Sequence, residues 1–245
     1  MQLSGDTILI TGGSEGIGFE FARALASGNT VIICGRSESK LARARAELPG
    51  VITEVCDVTD EVQRDDLVTR VLRTYPTCNV LVNNAGGRHR VDLLTGTGVA
   101  AALDADVALN FTAAAALCGK LLNHLQAQPR AAIVNISTGL VYLPKTVQPF
   151  YCAAKAALHS YTQSLRWALR GSSVRVFEVL MTLVDTNFHQ GELPKTFRAM
   201  NAEEAARLSL RGISRDKEEV HIGKSALARL LSFAAHNKGM AIVNR

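Results

Sequence analysis

Short apolar runs rich in β-branched residues recur along the chain, and each is followed by a longer stretch whose apolar positions return every three to four residues. The short runs predict buried strands and the longer ones amphipathic helices. Strands are expected at Thr7–Thr11, Val31–Cys34, Val51–Val55, Val80–Val82, Ala131–Ile136 and Val174–Leu180. Between them, helices are expected at Gly16–Ala26, Ser37–Leu48, from a Thr59 cap to Thr74, Gly98–Gln126 and Tyr151–Arg170. Six strands alternating with helices predict βαβ units, hence an α/β fold with a doubly wound parallel sheet and helices on both faces.

The pattern changes after Met181. Leu193–Met200 reads as loop or short helix, Asn201 caps a helix to about Ile213, and Lys217–Glu219 reads as a charged turn. Ser225–Ala235 is a last helix and Met240–Val243 a final edge strand. No repeat or low-complexity linker interrupts the chain, so residues 1–245 are expected to form one domain with a C-terminal elaboration.

Composition narrows the function classes. Apolar residues make up 47% and charged residues 20% of 245, ordinary values for a globular protein with a large core. The net charge of +5 is spread over scattered arginines rather than gathered with aromatics, so no nucleic-acid surface is expected. A mildly basic surface suits an anionic substrate or cofactor. The cysteines, Cys34, Cys56, Cys78, Cys118 and Cys152, lack C-x-x-C spacing, which argues against disulfides and zinc. The N-terminus has no signal-peptide pattern, and the richest apolar stretch, Ala100–Leu122, is broken by Asp104, Asp106, Asn110 and Lys120. A soluble, cytoplasmic protein without a membrane span is expected.

Candidate chemistry begins where the first strand meets the first helix, at Thr11-Gly12-Gly13-Ser14-Glu15-Gly16-Ile17-Gly18. Glycines there permit a tight turn and close approach of backbone to a pyrophosphate, and the helix N-terminus offers free N–H groups to that anion. The position predicts a Rossmann-type NAD(P)-binding loop with Gly12, Ser14, Glu15, Gly16, Ile17 and Gly18 at the cofactor. An NAD site places a carboxylate at the end of the second strand. This chain has Gly35-Arg36-Ser37 instead, and Arg36 could clamp a 2′-phosphate, so NADP is preferred over NAD. Glu15 opposes that preference, since it could repel the phosphate or compete for Arg36. Further along, Tyr151 and Lys155 stand four residues apart and so share a helix face. A phenol titrates near 10, and a neighbouring cation lowers that value, which makes the pair an acid/base candidate.

In this order the motifs resemble the short-chain dehydrogenase/reductase (SDR) family in its compact single-domain form. Thr11, Gly12, Gly16 and Gly18 match T-G-x-x-x-G-x-G, Asn83-Asn84-Ala85-Gly86 matches N-N-A-G, which by this resemblance puts Asn84, Ala85 and Gly86 at the cofactor, and Tyr151 with Lys155 matches Y-x-x-x-K. Asp57-Val58 stands where the family contacts adenine, Asn110 at its catalytic asparagine, and Thr186 at the threonine reaching the nicotinamide end. The resemblance covers about residues 5 to 190. Two positions depart from it. The catalytic serine is replaced by Thr138, with Ser137 beside it as the alternative hydroxyl, and Pro-Gly is replaced by Met181-Thr182. Gly139–Pro144 and Ala156–Arg166 look like a bacterial SDR branch connected by name with D-alanine esterification of teichoic acids, which is no evidence of such a substrate.

The resemblance implies an oxidoreductase moving hydride between NADP(H) and a carbonyl or secondary alcohol. Tyr151 is then the acid/base, Lys155 lowers its pKa and binds the ribose, Thr138 hydrogen-bonds the reacting oxygen, and Asn110 holds a water. Residues 187–245 become the substrate lid, and the Ala101–Leu125 and Tyr151 helices become a homodimer or homotetramer contact. His89, flanked by Arg88 and Arg90, and His159 and His189 are weaker site candidates. The competing readings are a nucleotide-binding regulatory or scaffold protein of this fold, and a sugar-nucleotide epimerase, which the lack of a separate substrate domain disfavours.

Overall fold

The computed structural model describes residues 1–189 and 198–244. Thr7–Thr11 (β1) is buried along its whole length, and its alternating side chains feed two different cores. Ile8 and Ile10 join Phe21 and Leu25 of Gly16–Ala26 (α1) and Leu41 of Glu38–Glu47 (α2). Leu9 points the other way, to Leu67 of Glu61–Thr74 (α3) and Leu117 and Leu121 of Ala113–Ala127 (α5). A sheet with apolar residues on both faces must be covered on both, and it is.

The remaining strands are Thr30–Gly35 (β2), Ile52–Val55 (β3), Cys78–Asn83 (β4), Ala131–Thr138 (β5), Val174–Met181 (β6), Val184–Asp185 (β7), Met200–Asn201 (β8) and Glu219–His221 (β9). The main sheet runs β3-β2-β1-β4-β5-β6-β9, all parallel, with β7 and β8 as a separate parallel pair. The order reverses at β1, the doubly wound, Rossmann-type arrangement. In such sheets the carboxyl ends of the strands open a crevice at the reversal. The glycine loop, Arg36, Asp57, Asn84 and Thr138 all follow or end strands there.

Several elements differ from expectation. Among the described residues the sheet has a seventh strand: β9 begins at Glu219, the last residue of the expected charged turn, with Lys217 and Glu218 left outside it, while Met240–Val243 belongs to a helix, His236–Val243 (α9). A three-residue strand with charged flanks carries no alternation to read, and a four-residue apolar run does not distinguish strand from helix. Asp60, not Thr59, caps α3, its side chain accepting from Gln63 N at 3.0 Å. Ser37 and Asn201 cap α2 and Ala202–Ser214 (α7) as expected. Pro149, not Tyr151, opens Pro149–Ala168 (α6), in keeping with its fixed φ.

The expected helix from Gly98 is continuous but not uniform. It divides into Val99–Val107 (α4), a π-helical turn at Ala108–Thr112, and α5. By length and apolarity alone this run would suffice to cross a bilayer. Its apolar face is spent on the sheet instead, with Leu117, Leu121 and Leu125 fully buried. The His189 side chain and residues 190–197 lie outside the described residues.

Candidate active site

The crevice is a cleft of about 2310 Å³ running from α1 to α6 and the C-terminal helices. Its floor at one end is the glycine loop, where Gly12 and Gly16 have φ of 64° and 59°, conformations open to glycine. A Cβ on Gly18 would stand 2.4 Å from both Asn84 Nδ2 and the Gly12 carbonyl, so only glycine fits. Asn84 Nδ2 donates to the Thr11 and Gly12 carbonyls at 3.0 Å, and Thr11 Oγ1 accepts from the Asn84 and Ala85 amides. The loop is thereby stapled to the end of β4. Asn84, expected at the cofactor, is also a structural tie.

Glu15 precedes the first turn of α1 without capping it by its side chain. The first-turn amides therefore stay open to an anion. Glu15 itself does not engage Arg36. It accepts from Lys40 Nζ at 2.5 Å and from Asn187 Nδ2 at 3.0 Å, bonds that hold its carboxyl below the usual range against burial, which raises it. Arg36 is exposed at the end of β2, and it lines the cleft with Lys40 and Ser14. Asp57 and Val58 line the same end, where Asp57 Oδ1 accepts from the Thr59 amide and hydroxyl. Thr186 packs at the loop, its Cγ2 being 3.3 Å from where a Gly16 Cβ would lie.

At the far end stand Tyr151 and Lys155, both buried on α6. Lys155 Nζ donates to the Ile136 carbonyl at 2.8 Å. Burial lowers its pKa to about 8 despite Glu178, which raises it. Tyr151 departs from the expectation that Lys155 lowers its pKa. Burial pushes the phenol above its ordinary 10, and the opposing pulls come from the Thr138 hydroxyl and the Arg88 charge. Thr138 is thus the hydroxyl beside the phenol, and its Oγ1 also accepts from Leu140 N at 3.3 Å. Ser137 Oγ is buried without a partner among the described residues.

The π-helical turn presents Asn110, whose Nδ2 donates to the Gly87 carbonyl at 2.8 Å and the Asp106 carbonyl at 2.9 Å. Its Oδ1 accepts from Gly87 N at 3.2 Å. A Cβ on Gly86 would lie 3.2 Å from Asn110 Oδ1 and 3.8 Å from Lys155 Nζ, so Gly86 is where asparagine and lysine converge.

Two features escaped the sequence reading. Phe188 tilts against Tyr151 with ring centroids 5.6 Å apart, an apolar cover whose sole sequence signal was an aromatic two residues after Thr186. Lys145 faces Arg88 and Arg90 across the substrate end, and burial together with those like charges lowers its pKa. Two of the histidine candidates, His89 and His159, stand outside the cleft lining, and the His189 side chain lies outside the described residues. His89 is exposed and donates through Nδ1 to the buried Asp106 at 2.7 Å, and His159 donates to Glu178.

The arrangement fits a dinucleotide: a glycine cradle that a Cβ would fill, an uncapped helix N-terminus above it, and a phenol, a hydroxyl and an ammonium at the other end. This is the layout of a nucleotide-dependent oxidoreductase. Residues 6–196 match the short chain dehydrogenase family model, and the chain belongs to that family, as an oxidoreductase acting on CH–OH substrates. It is 45% identical over 224 residues to the uncharacterized oxidoreductase DltE of Bacillus subtilis, covering 90% of this chain and 89% of that protein. That likeness bears out the bacterial branch expected from the sequence. A short chain dehydrogenase from Burkholderia cenocepacia, solved with NADP, superposes at a TM-score of 0.87 with 22% identity over 99% of both chains. One from Burkholderia phymatum, solved with NAD, superposes at 0.83 with 22% identity over 100% of this chain and 97% of that one.

Proposed function

We propose that the protein is an NADP(H)-dependent carbonyl reductase or secondary-alcohol dehydrogenase in which Tyr151 is the proton-transferring group. The observation that carries this reading is one continuous cleft with the glycine cradle at one end and the buried Tyr151–Lys155 pair at the other. Bound there, the nicotinamide would supply or accept the hydride.

In reduction Tyr151 gives its phenolic proton to the carbonyl oxygen, and in oxidation it takes the proton back. Thr138 donates a hydrogen bond to that oxygen as charge develops on it. Of the three donors of an ammonium, Lys155 commits one to Ile136, which leaves two for the ribose hydroxyls and the phenol. Its positive charge stabilises the phenolate left after transfer. Asn110 holds the 86–87 loop against this pair through its bonds to Gly87. Phe188 limits water at the reacting face.

Arg36 and Lys40 favour NADP over NAD at the adenosine end, and the pairing of Glu15 with Lys40 removes the competition for Arg36. Residues 187–245 act as the lid of a single domain. Exposed Leu103 on α4 and Trp167 on α6 favour a homodimer or homotetramer contact through these helices.

A panel of ketones, aldehydes and secondary alcohols followed by nicotinamide absorbance, with both cofactors, tests the reading. Turnover is expected with NADPH or NADP, and Arg36→Ala should weaken NADPH affinity about tenfold or more while leaving NADH nearly unchanged. Tight cofactor binding without turnover on any substrate would instead support the regulatory reading. Equal use of both cofactors would remove the NADP preference.

A further inference from the structure

One helical turn beyond Lys155, α6 presents His159 to a second polar cluster. His159 Nδ1 donates to Glu178 Oε2 at 2.7 Å, and Glu178, on β6, is fully buried. Glu178 pairs in register with Glu219 on β9, so two carboxylates project from the same face of adjacent strands. Potential ligand atoms of His159, Glu178 and Glu219 all lie within 4.8 Å of one another. His221, two residues along β9, brings Nε2 to 3.8 Å from Glu219 Oε2. Tyr142 packs against both imidazoles, 5.6 Å from His159 and 6.0 Å from His221 by ring centroid.

The cluster is not satisfied by its own hydrogen bonds. Among the described residues, Glu178 Oε1, the Tyr142 hydroxyl and both ring nitrogens of His221 are buried without a partner. An unmade bond on a buried polar group is costly, and four such atoms meet in one place. Nor, among the described residues, does Glu219 make a short bond. Its contacts to Gln163 Nε2, Arg229 Nη1 and Arg166 Nη1 are 3.4, 3.3 and 3.8 Å.

We propose that His159, Glu178 and Glu219, with His221 as a fourth donor, bind a divalent transition-metal cation of the zinc type. Imidazole and carboxylate together suit zinc and its neighbours, whereas magnesium favours an all-oxygen shell. Ligands about 2.0–2.2 Å from a tetrahedral zinc stand roughly 3.3–3.6 Å apart, a contraction that side-chain rotation supplies. The cation neutralises both carboxylates, including the one with no exposure, and gives Glu178 Oε1 and His221 a partner. Arg166 and Arg229 oppose it from the Glu219 side, which sets a moderate affinity. The ion ties α6 to the β6–β9 edge one turn from Lys155, and its binding does not depend on the hydride-transfer reading.

The full chain, stripped with chelator and kept reduced, is titrated with ZnCl₂, CoCl₂ and MgCl₂ by calorimetry. Expected are one equivalent of Zn²⁺ or Co²⁺ bound, a raised Tm, weak or no Mg²⁺ binding, and a tetrahedral Co²⁺ spectrum without a thiolate charge-transfer band. Glu219→Gln, on the partly exposed rim, and His159→Gln should each weaken binding at least tenfold. No saturable binding, undiminished binding in both variants, or a thiolate band would overturn the proposal. Zinc anomalous scattering from crystals of the unaltered protein gives a second reading, and a peak away from these residues would overturn it as well.

Discussion

At Tyr151 the balance of effects runs against the simple view of a phenol activated by its neighbour. Burial raises the phenol, and Arg88 and Thr138 offset only part of that rise. Tyr151 therefore stays protonated over the working pH range, the state needed to reduce a carbonyl. Tyr151→Phe is expected to lower kcat by about 10² to 10⁴ while the dissociation constant for NADPH changes little. Fluorescence titration beside steady-state rates checks both halves, and an active phenylalanine variant would falsify the acid/base role. The hydroxyl question has the same form. Thr138→Val should cost about 10² in kcat, Thr138→Ser should restore most of it, and Ser137→Ala should stay within a few fold. The reverse ranking would make Ser137 the donor to the substrate oxygen.

Among the elements, the helix from Val99 to Ala127 acts through its irregularity. A five-residue π-helical turn aims Asn110 at the Gly86–Gly87 loop, where a regular helix would rotate that side chain away. The edge strand β9 depends on a close approach. Gly212 of α7 lies so near Val220 that an added Cβ would fall 2.3 Å from its Cγ1. Gly212→Ala should cost roughly 1–3 kcal/mol by forcing β9 outward. Urea unfolding measures that loss, and an alanine variant as stable as the parent would show that the edge yields freely.

For the molecule as a whole, the cysteines make stability depend on pH. All five are buried, and burial raises every thiol above its ordinary 9: Cys56 and Cys152 to about 11, Cys78 and Cys118 to about 12, Cys34 further. A folded pKa above the unfolded one means stability fully present below about 9 and lost progressively as pH rises from there toward the folded values. Lys155 works in the opposite sense: burial lowers it to about 8, so its contribution improves as pH rises from 8 toward its ordinary 10.5. Each thiol gives up about 1 kcal/mol over the first pH unit above 9, so five outweigh one lysine. Scanning calorimetry under reducing conditions should find Tm lower at about pH 10 than at about pH 8. An equal or higher Tm at the alkaline end would show that the thiols do not govern this range.

The sequence by itself determined what depends on local patterns. The β-branched runs and their spacing specified a doubly wound parallel sheet. The glycine loop, Arg36, Asn110, Tyr151 and Lys155 were legible as candidates because the proposed chemistry calls for those residue types at fixed distances from strand ends. Tertiary structure decided whatever depends on which side chains meet across long separations. Glu15 chose Lys40 over Arg36, Phe188 settled against Tyr151, and Glu219 took its place beside Glu178. The edge strand and the π-helical turn belong with these, since a three-residue strand is defined by its neighbour and a one-residue shift in helical bonding leaves the apolar pattern nearly unchanged. Even the sign of the Tyr151 shift was decided there, because burial is a property of the assembled cleft and a neighbouring lysine in the sequence does not reveal it.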